Sequence, residues 1–128
     1  MKVSVLIDSH GWIEYFSDGP LASKYAKYVE TANPSEAITP ATTLYEVYKK
    51  LKVLKGESIA LEAIAYIIKN TAIIPIGRKI SLRAAEVSIR TKLAMADALV
   101  KAVADEKNAI VITGDSDFKG MENVRFID

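Results

Sequence analysis

AIVITGD, residues 109–115, is the stretch that decides the fold. Ile110 to Thr113 form a continuous apolar, mostly β-branched run closed by Gly114-Asp115, the make-up of a strand buried on both faces. VSVLI at residues 3–7 repeats that design near the other end of the chain and is stopped by Asp8. Two central strands are therefore expected. Shorter strand candidates are Ala37–Thr39, Ala72–Ile76 in TAIIPIG, and Val124–Ile127. Between them lie helix-length segments at His10–Phe16, Leu21–Thr31, Pro40–Leu54, Glu57–Lys69, Lys79–Thr91 and Leu93–Lys107.

Boundary residues support this reading. Thr39-Pro40 offers a helix N-cap and first position, Gly56 follows Lys55 where a helix should stop, and Asn33-Pro34 ends the second helix. Strands separated by helices predict an α/β fold: a three-layer α/β/α sandwich with a mostly parallel central sheet and right-handed crossovers. The chain has 128 residues, the ordinary size of one domain, and no repeat, low-complexity run or linker divides it, so residues 1–128 are expected to form a single unit.

Composition narrows the function. Half the residues are hydrophobic and 26% charged, as in a compact globular protein, and the net charge of +1 supplies no global field towards nucleic acid or membrane. Cysteine is absent, which excludes disulfides, thiolate nucleophiles and Cys-based zinc or iron–sulfur sites. The first apolar run is too short for a signal-peptide core or a membrane span, so a cytoplasmic protein is expected.

One carboxylate is out of place. In LAMADALVKAVA, residues 93–104, helical winding surrounds Asp97 with Leu93, Ala94, Val100 and Lys101. An ionised carboxylate removed from water must be protonated, hydrogen-bonded, paired or bound to a metal. The plainer alternative is a narrow wet stripe on which Asp97 pairs with Lys101.

In open α/β sheets, ligands occupy the crevice beyond the carboxyl ends of the strands. Asp8 and Asp115 follow the two central strands, and the helix carrying Asp97 leads into the later one, so three acids are expected to converge there. Singly, Asp8 and Asp115 also fit the common use of aspartate in turns after strands. Glu46 has Thr42, Thr43, Lys49 and Lys50 as helical neighbours and by itself reads as a solvated surface residue.

Converging acids need a positive charge. Two carboxylates about 5 Å apart repel by roughly 3 kcal/mol at an effective dielectric near 20. Proton sharing can serve one pair, but several oxygen ligands suit a hard divalent cation, Mg²⁺ or Mn²⁺, better than zinc. Such a site suits water attack on a phosphodiester, which is nuclease chemistry.

Over essentially its whole length the chain resembles PIN domains, and specifically the VapC-type toxins of prokaryotic toxin–antitoxin pairs. The resemblance runs through VLIDSHGWIEYF, TTLYEVYKKL, MADALVKAVA and VITGDSDF, and its specific part is the order and spacing of Asp8, Glu46, Asp97 and Asp115. It implies that these four acids are the catalytic and metal-holding residues for one or two Mg²⁺ or Mn²⁺ ions, with Glu46 admitted on the resemblance alone. It further implies that Thr113 orients the acids, that Asp117 is an additional nearby acid, and that Ser9 supports them. The implied reaction is metal-dependent hydrolysis of RNA. The implied partners are an RNA substrate, a cognate antitoxin that covers the cleft, and a second copy of the chain in a homodimer, with no membrane. His10 departs from the family's usual uncharged or apolar residue; the sole histidine could touch substrate phosphate or serve in proton transfer, but it is read as a helix-start polar residue outside the core site.

RNA needs a positive track. Lys49, Lys50, Lys52 and Lys55, with Arg78, Lys79, Arg83, Arg90 and Lys92, are the candidates, and Tyr45 and Tyr48 are candidates for stacking or packing. Rival readings fit less well. A haloacid-dehalogenase-like phosphatase wants a second aspartate where His10 stands, a response-regulator receiver wants an acceptor aspartate where Ile76-Gly77-Arg78 stands, and a calcium loop from Asp115 would need an acid at Phe126. A non-catalytic PIN-like scaffold binding RNA or protein is the remaining alternative.

Overall fold

A computed structural model describes residues 4–128. Five strands, β1 (Ser4–Ile7), β2 (Ala37–Pro40), β3 (Ala72–Ile74), β4 (Ala109–Thr113) and β5 (Val124–Phe126), form one sheet in the order β3-β2-β1-β4-β5. Every neighbouring pair is parallel. Val3, included in the expected first strand, lies outside the described residues.

The register explains why both central runs are apolar throughout. Leu6 pairs with Val111 and Ile7 with Ile112. Successive strand side chains point to opposite faces. Leu6 and Val111 accordingly join one core with α5 (Arg78–Thr91) and α6 (Met95–Lys107), while Ile7 and Ile112 join another with α1 (Ser9–Phe16), α2 (Ala22–Val29), α3 (Ala41–Lys55) and α4 (Glu57–Asn70). The result is the expected α/β/α sandwich, with a sheet that is parallel throughout rather than mostly so. No described helix is long and apolar enough to cross a membrane.

Three local expectations are corrected. Thr39 does not cap α3: it is fully buried in β2, and its hydroxyl meets that of Thr71 at 2.7 Å. Thr71 itself donates to the Ile67 carbonyl, so Thr39 donates to Thr71. Pro40 takes the cap position, with no side-chain bond to the helix. The helix expected from Leu93 begins instead at Met95, because Lys92 turns left-handed (φ 69°) at the end of α5 and Ala94 is extended. Finally, there is no wet stripe on α6. Residues from Ala98 to Ala104 are all buried, and Lys101, 7% exposed, pairs with Asp105 at 2.5 Å rather than with Asp97.

The first crossover packs tightly. A Cβ on Gly11 would lie 2.6 Å from the ring of Tyr25, a fully buried residue of α2. That distance is below any ordinary carbon contact, and both groups belong to packed helices. Gly11→Ala is therefore expected to destabilise the protein by about 2 kcal/mol, the scale of core overpacking. A urea titration would read this as a lower midpoint with an unchanged slope.

Candidate active site

The first strand delivers Asp8 straight into a helix start. The Asp8 backbone is extended and its Oδ1 accepts from the Ser9 N–H at 2.8 Å, capping α1. Its other oxygen, Oδ2, accepts from the Thr113 hydroxyl at 2.9 Å. Thr113, fully buried at the end of β4, accepts in turn from the Asp115 N–H at 3.0 Å. One hydroxyl therefore ties together the two acids that follow the paired central strands. Asp115 then opens a short 3₁₀ turn, Ser116–Phe118, by accepting from the Asp117 N–H at 2.9 Å.

Asp97 comes from the other layer, in the first turn of α6. Single carboxylate oxygens of Asp97, Asp115 and Asp117 all lie within 4.8 Å of one another. Asp117, expected only as an additional nearby acid, thus belongs to the closest trio. Glu46, from the first half of α3, is half-buried and turned to the same cleft rather than to solvent. Asp8, Ser9, Glu46, Asp97 and Asp115 line one hollow of about 460 Å³.

The electrostatics follow from this crowding. Burial raises the Asp8 carboxyl, 3% exposed, above its ordinary range, against the opposing bonds from Thr113 and Ser9. Burial also raises Glu46, with the Asp8 charge adding to it and an interaction with the Ser9 side chain opposing. Asp97 is pushed up to about 7, first by burial and then by the charges of Asp115, Asp8, Glu46 and Asp117. Burial and neighbouring negative charge therefore oppose ionisation at Asp8, Glu46 and Asp97 alike. The donor set is all oxygen and mostly anionic, which fits a hard divalent cation.

Only some of the expected basic track reaches this cleft. Lys49 and Lys50 line it with the exposed Tyr45, whose ring lies 5.4 Å from the Lys49 ammonium. Lys79 and Arg83 instead pair with Glu106, and Lys52 pairs with Glu57 while lying over Tyr48. Arg90 lines a different hollow of similar volume, beside the Lys101–Asp105 pair. One further contact carries no signal in the sequence. His10 Nδ1 lies 3.0 Å from the hydroxyl of buried Tyr25, and His10 also lines the acidic cleft.

The chain matches the PIN domain over residues 5–124. No curated protein sequence matches it. Among solved structures it is similar to a chain of a toxin–antitoxin complex from Klebsiella pneumoniae, with 25% identity, TM-score 0.76, and coverage of 95% of this chain and 96% of that one. It is also similar in fold to VapC20 of Mycobacterium tuberculosis, a sarcin–ricin loop cleaving toxin, at 22% identity and TM-score 0.76 over 95% and 99% of the two chains. VapBC2 from Rickettsia felis, solved on a DNA fragment from its promoter, shares the fold at 12% identity and TM-score 0.73 over 98% and 100%.

The raised carboxyls set the sign of a pH effect. With Asp97 near 7 folded and near 3.8 unfolded, the metal-free native state binds more protons between those values. Stability must then fall as pH rises through that window. Metal-free protein should show a melting temperature that drops between pH 5 and pH 8 in thermal scans. At pH 8, Asp97→Asn should raise it by about 4 °C, corresponding to about 1 kcal/mol.

Proposed function

The chain belongs to the PIN domain family, and from that premise we propose that it is a metal-dependent endoribonuclease of the VapC type, the toxin of a toxin–antitoxin pair. The observation that carries this reading is the meeting of Asp97 and Asp115 with Asp8 and Glu46 in one cleft, with the exposed Asp117 within 4.8 Å of Asp97 and Asp115. Acids arranged only for solubility would not be half-buried against one another. Here burial and mutual repulsion oppose ionisation at Asp8, Glu46 and Asp97 together.

Asp8, Asp97 and Asp115 would hold Mg²⁺ or Mn²⁺, with Asp117 beside them and Glu46 placing metal or water. The chemistry such an ion supplies is activation of water for attack on phosphorus and stabilisation of the departing ribose oxygen. The chain's own residues do the rest. Thr113 fixes the Asp8 carboxylate by donation and the Asp115 backbone by acceptance, so the spacing of these two acids does not depend on solvent. Ser9 serves Asp8 through its backbone N–H and Glu46 through its side chain. Lys49 and Lys50, on the rim, supply positive charge for the RNA backbone, and Tyr45 offers an exposed ring for a base.

By likeness to the Klebsiella toxin–antitoxin chain, the partner that silences this protein is a cognate antitoxin. The exposed apolar residues Val53, Leu54, Leu61 and Ile68 on α3 and α4 offer it a surface, and Val53 reaches the cleft itself. A homodimer in the cytoplasm completes the reading.

Purified protein should cut RNA in Mg²⁺ or Mn²⁺ and stop in EDTA. Thr113→Val should lower single-turnover cleavage about 10- to 100-fold, the usual cost of losing an outer partner, and Asp115→Asn should lower it further. RNA binding without cutting under all metal conditions would point to the scaffold alternative. Cleavage of a phosphate monoester but not RNA would point to a phosphatase.

A further inference from the structure

Two glycines and a buried tyrosine are committed to one histidine. His10 sits in the first turn of α1, two positions beyond Asp8, and its Nδ1 is 3.0 Å from the Tyr25 hydroxyl. Tyr25 is fully buried, and its ring meets that of His10 edge to face at 5.9 Å. Gly11 leaves the space that the Tyr25 ring occupies, since a Cβ there would fall 2.6 Å from it. Gly114, between Thr113 and Asp115, leaves space at the other end: a Cβ there would lie 2.9 Å from the Ile127 carbonyl oxygen and 3.1 Å from both His10 Cε1 and the Tyr25 hydroxyl. The Gly114 backbone amide also acts on that hydroxyl oxygen.

This geometry sets the histidine's tautomer. A buried O–H must find an acceptor or carry an unmet desolvation cost. Among the described residues the Tyr25 hydroxyl has no acceptor other than His10 Nδ1. Tyr25 therefore donates and Nδ1 accepts, so in the neutral ring the proton sits on Nε2. No described residue pairs with Nε2, and His10 lines the acidic cleft. An N–H donor is thus added to a cleft lined by the acceptors Asp8, Glu46, Asp97 and Asp115, with Lys49 and Lys50 also on its lining. The substrate group that such a donor recognises is a phosphate oxygen.

We propose that His10 contacts the substrate, donating Nε2–H to a phosphodiester oxygen of RNA lying in the acid cleft, with Tyr25 as its positioning residue. This rests on the nuclease reading for the identity of the ligand. Gly114, at the strand end, then has a second role, because the segment that delivers Thr113 and Asp115 to Asp8 also clears room for the His10–Tyr25 pair.

The chain has one histidine, so ¹⁵N-histidine labelling of the intact protein yields a single pair of ring nitrogen signals. At a pH where the ring is neutral, a long-range ¹H–¹⁵N spectrum should show the Nε2–H form, and Tyr25→Phe should lose that preference. Adding a short RNA oligonucleotide, with Ca²⁺ replacing Mg²⁺ to slow cutting, should shift Nε2 more than Nδ1. In Mg²⁺, His10→Ala should lower single-turnover cleavage roughly 10- to 100-fold. His10→Gln, whose amide N–H reaches about as far as Nε2, should recover more of it than His10→Asn, whose shorter side chain places its N–H nearer the Nδ1 position. An Nδ1–H ring, an Nε2 signal unmoved by bound RNA, or full-rate cutting by His10→Ala overturns the proposal. Wild-type protein whose Nε2 responds to RNA but which cuts none keeps the His10 contact and overturns the nuclease reading instead.

Discussion

The hydrogen bond from Thr113 to Asp8 joins residues that lie 105 positions apart, and the geometry of the site follows from it. It forms because β1 and β4 are parallel neighbours in a register that pairs Ile7 with Ile112, so Asp8 and Thr113 leave the sheet together. That register is itself set by burial on both faces, since a slip of one residue would turn Leu6 and Ile7 to the wrong layers. Core packing thereby fixes the position of a polar contact, which in turn fixes Asp115. The same hydroxyl serves both partners, leaving Asp8 Oδ1 and both carboxylate oxygens of Asp115 free of Thr113.

Around that link the protein collects negative charge at a cost to its own stability. Asp8 brings its charge from β1, Glu46 from α3, Asp97 from α6 and Asp115 from the end of β4, so separate layers converge on one point. Among the described residues no buried cation offsets them: Lys101, on α6, is committed to Asp105. The proposed metal binding would account for this cost, because the repulsion that weakens the metal-free fold would add to the affinity for a divalent ion.

Much of the fold was legible because parallel strands buried on both faces must be apolar throughout, and few other elements have that signature. A mostly parallel sheet with helices on both faces follows once AIVIT and VSVLI are taken as central, whereas the strand order is visible only in the structure. Element ends were less legible. Nothing in KLAM announces that Lys92 turns left-handed and pushes the start of α6 to Met95. The partner of Lys101 was equally hidden, since Asp97 and Asp105 stand four residues away on either side and only burial distinguishes them. Asp8, Asp97 and Asp115 could be placed from topology. Glu46 could not, because its neighbours along α3 are polar and the groups that act on it, the Asp8 charge and the Ser9 side chain, come from other elements. His10 and Tyr25 meet only through the crossing of two helices, which local periodicity does not encode.

Whether the converging acids hold a divalent ion can be read from an anomalous difference map of crystals soaked in Mn²⁺. A peak in the cleft, within coordination distance of carboxylate oxygens from Asp97 and Asp115 and facing Asp8, is the predicted result. Crystals that diffract well, with the acids ordered as described and no manganese peak among them at millimolar Mn²⁺, would contradict it.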